Sequence, residues 1–179
     1  MCPARLPQLA DPQPEYDRVR HGEVTIRRQS DGADFGAWLF KCNPRRRDFQ
    51  RFLSESDGIT EWCVARSYRA TLIRLGQPVI LWVSGSDARG PTPGIWAVGQ
   101  TISDAAAGDT DPSGANSSRA RQLDTRVQLS LRLLAEPVPR AVLRHVAALE
   151  RLEVLRIPAG SNPSWVTGSE FAALLALVE

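Results

Sequence analysis

The chain has 179 residues, of which 42% are hydrophobic and 23% charged, with a formal net charge of +2. This length suits one domain with its own core, and the composition excludes a wholly disordered chain. The three cysteines, Cys2, Cys42 and Cys63, have no metal-ligand spacing, and no apolar run reaches the length that spans a bilayer. The first residues lack an apolar signal-peptide core, so we expect a cytoplasmic protein. We also expect it to need no membrane, metal or cofactor.

Residues 1–34 contain several prolines, scattered charges and few large apolar side chains, which predicts a flexible N-terminal extension. Within it, residues 23–27 alternate like a short edge strand. The folded domain is expected over residues 35–179. It begins with a predicted strand at 36–42, which Asn43 and Pro44 terminate.

A helix is predicted over residues 45–54, because Pro44 suits a helix start and Phe49, Phe52 and Leu53 would share one apolar face. A second strand is predicted at 60–65. A β-hairpin follows, with arms at 79–83 and 94–99 and a tip made of turn-forming residues. The first arm is uninterruptedly apolar, which is typical of a strand covered on both faces. A polar loop on such a rigid hairpin is a usual position for binding residues.

Residues 103–120 contain no large hydrophobic side chain, and a loop of this length is usually functional or disordered. Residues 127–133 then alternate as a strand with one wet face, which we expect Pro137 and Pro139 to stop. A helix over 140–149 is predicted to turn Val142, Leu143 and Val146 inward. A short strand is expected around 155–157.

The last predicted helix opens with Thr167 and Glu170, which have the spacing of a capping box. Its apolar stripe consists of Phe171, Leu174, Leu175 and Val178. With about six candidate strands, short helices and no regular alternation of strand and helix, the chain is predicted to be α+β, built on a mixed, barrel-like sheet.

The positive charge is concentrated around the hairpin. From residue 36 to residue 102 there are five acidic residues and nine basic ones, Lys41, Arg45, Arg46, Arg47, Arg51, Arg66, Arg69, Arg74 and Arg89. A surface that binds phosphates would have this bias, although a run such as Arg45 to Arg47 is more often a solvated helix face.

The ordered segments together resemble the EVE domain family of the PUA-like superfamily, which is related to the YTH and SRA readers of modified bases. The matching stretches are WLFKCNP (38–44), EWCVARSY (61–68), VILWVSG (79–85), GIWAVG (94–99), TRVQLSLRLLAEPVPRAVL (125–143) and GSNPSWVTGSEFAALLALV (160–178). The resemblance implies a PUA-like mixed β pseudo-barrel of about six strands with short flanking helices. It also implies a pocket that accepts a flipped-out base between aromatic walls.

The implied function is a non-catalytic module that recognises a modified nucleobase in DNA or RNA. The resemblance gives Trp62, beside Cys63, the role of an aromatic wall. It also places Asn43, Ser84 and Asp87 where groups that read the base edge are expected. Stacking on an aromatic ring and cations along the backbone are what an extruded base requires. The residues expected to contact the nucleic-acid backbone are Arg45, Arg46, Arg47, Arg51 and Arg66.

Other interpretations fit parts of the sequence. Trp38, Trp82 and Trp96 lie in apolar strands and are expected in the core, a role that Trp62 could share. A small-molecule or nucleotide-binding domain without polymer contact is one alternative function. A hydrolase of nucleobase derivatives is another, but the only histidines, His21 and His145, lie in the tail and on a predicted surface helix.

Overall fold

A computed structural model describes residues 26–28, 32–45, 59–86, 88, 90–107, 125–160 and 162–178. The strands are β1 (Phe35–Cys42), β2 (Ile59–Val64), β3 (Pro78–Val83), β4 (Gly94–Thr101), β5 (Ala106–Ala107), β6 (Thr125–Pro139) and β7 (Ser164–Thr167). The helices are α1 (Arg140–Leu143), α2 (Glu153–Arg156) and α3 (Gly168–Leu175), with 3₁₀ turns at Ala70–Leu72 and Ala147–Leu149.

The described strands form one mixed sheet in the order β2-β6-β4-β3-β1-β7, with β5 paired to β6. Only the pair of β1 and β3 is parallel among them. The sheet curls, and the backbone N–H of Ala65, just after β2, donates to the carbonyl of Asn162, just before β7, at 3.0 Å. This bond links the two ends of the sheet. The predicted α+β class, with a mixed, curled sheet and short helices, is confirmed.

Apolar side chains pack on both faces of the central strands. The inner core fills the curl of the sheet and includes Trp38, Phe40, Trp62, Val64, Val79, Leu81, Ala97 and Leu129. The outer core lies under the helices and includes Leu39, Ile80, Trp82, Ile95, Leu143, Leu149 and Leu174. Because side chains alternate along a strand, β3 supplies both cores, as its continuous apolar run predicts. Each fully buried large side chain contributes about 1.5–3 kcal/mol.

The expectation that Pro137 and Pro139 stop the strand at 127–133 is wrong, because β6 runs to Pro139. The pairing with β4 shifts register between the pair Ala97–Leu133 and the pair Ile95–Val138. Pro137 falls in this shift, where a proline removes no ladder hydrogen bond. Pro139 is the last residue of the strand. Because β6 is long and its register shifts, its residues 125–130 pair with β2 and its residues 129–139 pair with β4.

The region after β6 also differs from the expectation. The predicted helix over 140–149 is divided into α1 and a 3₁₀ turn, with Val146 in an extended conformation between them. Leu143 is buried as predicted, Val146 is half-buried, and Val142 is 45% exposed. Leu143 and Leu149 would not share a face of one continuous helix, and the break lets both reach the outer core.

The short strand expected around 155–157 is wrong, because α2 occupies Glu153–Arg156. A triplet that is apolar, polar and apolar is too short to distinguish a strand from a helical turn. Burial of Val154, rather than of the exposed Ile157, settles which one forms. The strand β7 was not predicted. Its four residues follow Pro163 and are too few to show a clear period.

The capping box at the start of α3 is confirmed, because Thr167 Oγ1 accepts from Glu170 N and the Glu170 carboxylate accepts from Thr167 N. Part of the predicted N-terminal extension contacts the domain. Ile26 packs against the inner core, and Phe35 N donates to its carbonyl at 3.0 Å. The predicted helix at 45–54, most of the edge strand at 23–27 and most of the loop at 103–120 lie outside the described residues.

In the described ranges, no helix combines the length and the apolar character that crossing a bilayer requires.

Candidate functional site

The ends of the two parallel strands define the candidate site. Cys42 and Val83 are the last paired residues of β1 and β3, and Ser84 N donates to the Cys42 carbonyl at 2.8 Å. Beyond this bond the two chains separate. Asn43 and Ser84 are therefore brought side by side where the strands diverge, although 40 residues lie between them in the sequence. Ligands commonly bind beyond the carboxyl ends of parallel strands that diverge in this way.

A groove of about 590 Å³ opens at this point, a volume in the range of small-ligand sites. Its lining residues come from the end of β1 and from the hairpin tip, and they are Asn43, Pro44, Arg45, Ser84, Gly85, Ser86, Gly90 and Pro91. The side chains supply one amide, two hydroxyls, one guanidinium and two proline rings. Such a surface can hydrogen-bond the edge of a planar polar ligand and contact its faces.

Local hydrogen bonds hold the groove in shape. The Asn43 side-chain oxygen accepts from Arg45 N at 3.0 Å, which fixes the turn after β1. The hairpin tip is fastened to α1, because Arg140 N donates to the Pro93 carbonyl at 2.7 Å and Arg140 Nη1 lies 3.4 Å from the Gly85 carbonyl oxygen. These hydrogen bonds tie the turn after β1 and the hairpin tip that line the groove to neighbouring backbone.

The structure brings together three of the residues singled out from the sequence, Asn43, Arg45 and Ser84, in this groove. Trp62 does not line it. Its side chain is 3% exposed and packs in the inner core. Cys63 and Arg66 are exposed. The remaining candidates, Arg46, Arg47, Arg51 and Asp87, lie outside the described residues, and the roles assigned from the sequence stay predictions.

A second polar cluster lies where the sheet closes. Asn162 Oδ1 accepts from Lys41 N at 3.0 Å, and the Asn162 carbonyl accepts from Ala65 N. On the outer side, Lys41 Nζ donates to the Gly160 carbonyl at 3.0 Å, and Arg69 Nη1 donates to both Glu153 oxygens at 3.0 Å. Sequence reasoning missed Asn162, whose only signal is its position just before Pro163.

Burial acts on the pKa values of the two basic side chains in this cluster, Lys41 and Arg69. It lowers the pKa of Lys41, and the nearby Arg69 guanidinium adds to the lowering while the Glu153 carboxylate opposes it. Burial also acts to lower the pKa of Arg69. Its hydrogen bonds to Glu153 and Tyr68 and their charges outweigh that effect, so the pKa of Arg69 is raised. Arg69 is therefore a permanent cation that Glu153 holds in one position.

Trp96, expected in the core, occupies a different environment from Trp38 and Trp82. Trp38 and Trp82 are buried, whereas Trp96 is half-buried against the inner core, and its Nε1 donates to the Thr92 carbonyl of the hairpin tip at 2.7 Å. The pairing of β4 with β3 and with β6 shifts register at this residue. Bulges of this kind re-aim side chains.

Among the described side chains, no group of three His, Cys, Asp or Glu residues could hold a metal ion. No protein-family model and no curated protein sequence matches the chain.

Solved structures define the class of the fold. A crystal structure of a Pseudomonas putida protein has 19% sequence identity and a TM-score of 0.61, covering 80% of this chain and 99% of that one. A Pseudomonas syringae protein has 22% identity and a TM-score of 0.60, with the same two coverages. At these identities the likeness establishes the fold.

A structure of the human THYN1 protein in complex with 5-methylcytosine containing DNA also matches, with 21% identity and a TM-score of 0.58. The match covers 80% of this chain and 97% of that one. The DUF55 domain of human thymocyte nuclear protein 1 matches at 18% identity with a TM-score of 0.57, over 80% of this chain and 98% of that domain. The chain therefore has the PUA-like fold of EVE domains, as the sequence resemblance predicts.

Proposed function

We propose that this protein is a non-catalytic module that recognises a modified nucleobase in DNA or RNA. The base would enter the groove at the ends of β1 and β3. The observation that carries the proposal is the convergence of Asn43 and Ser84 at the point where two parallel strands separate, inside a groove of about 590 Å³. A structure with the same fold contains 5-methylcytosine DNA, which supports a nucleic-acid partner.

The chemistry of the groove suits a base edge. An amide offers two donors and an acceptor, and a hydroxyl offers a donor and an acceptor, so Asn43 and Ser84 can satisfy the edge of an extruded base. Pro44 and Pro91 supply apolar surface for the ring or for an added methyl group. Arg45 at the groove and Arg66 beyond β2 supply exposed cations for phosphates.

In this proposal, Trp62 is the aromatic wall on which the base stacks. Because its side chain is 3% exposed, a base can stack on it only if its ring gains accessible surface when the base binds. Stacking of a base on an aromatic side chain contributes about 1–3 kcal/mol. This gain would offset part of the free energy that extrusion of the base requires.

The decisive experiment measures binding of the purified protein to matched single-stranded and double-stranded DNA and RNA, with 5-methylcytosine, N6-methyladenine or no modification. We expect tighter binding to one modified strand than to its unmodified partner, and an affinity that falls linearly with salt on logarithmic axes. Equal binding to all strands would refute recognition of a modification. Binding of a free nucleotide without salt dependence would favour a small-molecule site, and turnover of a nucleoside panel would favour a hydrolase.

Variants of the groove give a sharper test. Asn43→Ala and Ser84→Ala should reduce the preference for the modified base about 5- to 30-fold each, because each change removes a hydrogen-bonding partner of a desolvated base edge. Gln128→Ala is the matched control, since it removes an exposed amide that does not line the groove. Unchanged preference in both groove variants would remove the groove from the proposal.

The role of Trp62 is tested by comparison with Trp82, which is equally buried but belongs to the outer core. Trp62→Leu and Trp82→Leu should each destabilise the domain by about 2–4 kcal/mol. Only Trp62→Leu should also lose affinity, by about 5- to 150-fold at a temperature where both variants are folded. If the two variants bind equally well, Trp62 is a core residue and the base stacks elsewhere.

A further inference from the structure

An exposed aromatic side chain stands in the connector between β2 and β3, outside the groove. Tyr68 is 71% exposed, the highest value for any large hydrophobic side chain among the described residues. Tyrosine is amphipathic, so an exposed ring of this kind can contact a planar apolar partner while its hydroxyl stays hydrated.

The ring is held in place before any partner arrives. Thr71 Oγ1 donates to the Tyr68 carbonyl at 2.7 Å, which fixes the turn that carries the ring. The Arg69 guanidinium lies 6.0 Å from the ring centroid, and Arg69 Nε lies 3.4 Å from the Tyr68 hydroxyl. Arg69 is itself clamped by Glu153. A preorganised side chain loses little conformational entropy on binding, which favours its use as a platform.

The far end of the connector is equally rigid. Gln77 Oε1 accepts from Trp38 Nε1 at 2.6 Å and from Arg74 N at 2.7 Å. The buried Thr101 hydroxyl donates to the Arg74 carbonyl and accepts from Gln77 N. The connector is thus tied to the inner core and to β4.

The charge around the ring is positive. Arg66 and Arg74 are exposed, and Arg66 forms no salt bridge with a described residue. The carboxylate next to the ring, that of Glu153, is neutralised by Arg69, and Glu61 is paired with Arg126 at 2.9 Å. An exposed aromatic ring with exposed arginines near it in the chain is an arrangement that single-stranded nucleic acids bind, with a base on the ring and phosphates on the cations.

The connector begins close to β1, the strand whose end leads into the groove. Asn162 accepts from Ala65 N through its carbonyl and from Lys41 N through its side chain, so it joins the start of the connector to the end of β1. Asn43, in the groove, is two residues beyond Lys41. A single-stranded nucleic acid with one base in the groove can therefore continue across the connector.

We propose that Tyr68 stacks on an unpaired base that neighbours the base in the groove, while Arg66 contacts the adjoining phosphate. This inference rests on the proposed function, because it gives the path of the nucleic-acid strand on one side of the recognised base. Stacking on a ring does not depend on base identity, so Tyr68 would add affinity for the strand without adding preference for the modification.

The test uses a nine-nucleotide single-stranded DNA with a central 5-methylcytosine, its unmodified counterpart, and the RNA strands of the same sequences. Tyr68→Ala should weaken binding of modified and unmodified strands alike by about 5- to 150-fold. Tyr68→Phe should stay within about twofold of the parent, because the ring remains. Leu75→Ala is the matched control, since it removes another exposed apolar side chain, 64% exposed, from the same connector.

Two further readouts separate stacking from a general loss of contact. Abasic sites are placed in turn at the positions beside the central base. At one of these positions the abasic site should weaken binding to the parent protein. Tyr68→Ala should bind that abasic strand as well as it binds the intact strand. Arg66→Gln should reduce the slope of affinity against salt by about 0.7, the value for one phosphate on a single strand, while Tyr68→Ala leaves the slope unchanged.

The outcomes distinguish this inference from the proposed function. If Tyr68→Ala binds every strand as the parent does, the platform is refuted while the groove proposal stands. If Tyr68→Ala weakens binding but the parent shows no preference for a modified base, the groove proposal is refuted and the platform stands. If the parent binds none of the DNA or RNA strands, both are refuted.

Discussion

The ion pair between Arg28 and Glu170 should make the short segment 26–28 essential to the stability of the domain. Arg28 Nη2 lies 2.6 Å from both Glu170 oxygens, and the two side chains are 20% and 3% exposed. Glu170 also caps α3 by accepting from Thr167 N at 2.8 Å. Replacing Arg28 with Met keeps the apolar part of the side chain and leaves the Glu170 carboxylate buried without its cation.

The expected loss follows from this geometry. Removing one partner of a buried pair destabilises a protein by about 3–5 kcal/mol. The Thr167 N–H and the N-terminus of α3 still favour the charge, which reduces the loss by about 1 kcal/mol. Arg28→Met should therefore lower the free energy of unfolding by about 2–4 kcal/mol. Urea unfolding followed by circular dichroism measures this, and the slope against urea should stay unchanged.

Two controls isolate the pair. Arg27 forms an exposed pair with Asp34, with side chains 63% and 71% exposed, so Arg27→Met should change stability by less than about 1 kcal/mol. The double variant Arg28→Met with Glu170→Gln should be more stable than Arg28→Met alone, because a neutral amide keeps the cap without a buried charge. Equal stabilities of Arg27→Met and Arg28→Met would refute the reasoning and show residues 26–28 to be dispensable, as a fully flexible extension over 1–34 implies.

Four other changes should have distinct effects. Because burial lowers the pKa of Lys41, the unfolded chain binds more protons than the folded one between that pKa and the ordinary value. The free energy of unfolding should therefore rise with pH across this window. Lys41→Met should reduce this rise, as measured by urea unfolding at several pH values. Ser164→Ala should be neutral or stabilising by up to about 1 kcal/mol in thermal unfolding, because the buried hydroxyl has no partner among the described residues. Thr167→Ala should instead lower the free energy of unfolding by about 1–2 kcal/mol, because it removes the cap of α3. Gly99→Ala should yield insoluble protein on expression, since a methyl group there collides with the Ser130 carbonyl across the sheet.

The strands were predictable from the sequence where burial leaves a long pattern. The apolar run of β3 predicts cover on both faces, and β3 contributes to both cores. Short elements carry too little pattern for such a prediction. The triplet at 155–157 reads as a strand but belongs to a helical turn and the residue after it, and β7 has four residues. The break at Val146 depends on where Leu143 and Leu149 meet the sheet, which no local pattern contains.

Three residues of the groove, Asn43, Arg45 and Ser84, were singled out from the sequence, but their arrangement was not predictable. Asn43 and Ser84 could each be proposed as readers of a base edge, yet the parallel pairing of β1 with β3 is what places them together. Parallel pairing joins segments that are distant in sequence and leaves no turn signature to reveal it. The closure through Asn162 escaped prediction for the same reason, because its partners Lys41 and Ala65 are far away in the chain.

The position of the groove also explains how such a domain can change its ligand without losing its fold. Asn43 and the described residues of the hairpin tip follow the last paired residues of β1 and β3, and their side chains belong to neither core. Under the proposed function, substitutions there would alter which base edge is satisfied, while the strands beneath remain fixed by buried apolar contacts. Trp62 lies in the inner core, which needs its volume. If Trp62 also forms the proposed aromatic wall, it can vary less, so the proposed function predicts that specificity arises in the residues after β1 and in the hairpin tip rather than at Trp62.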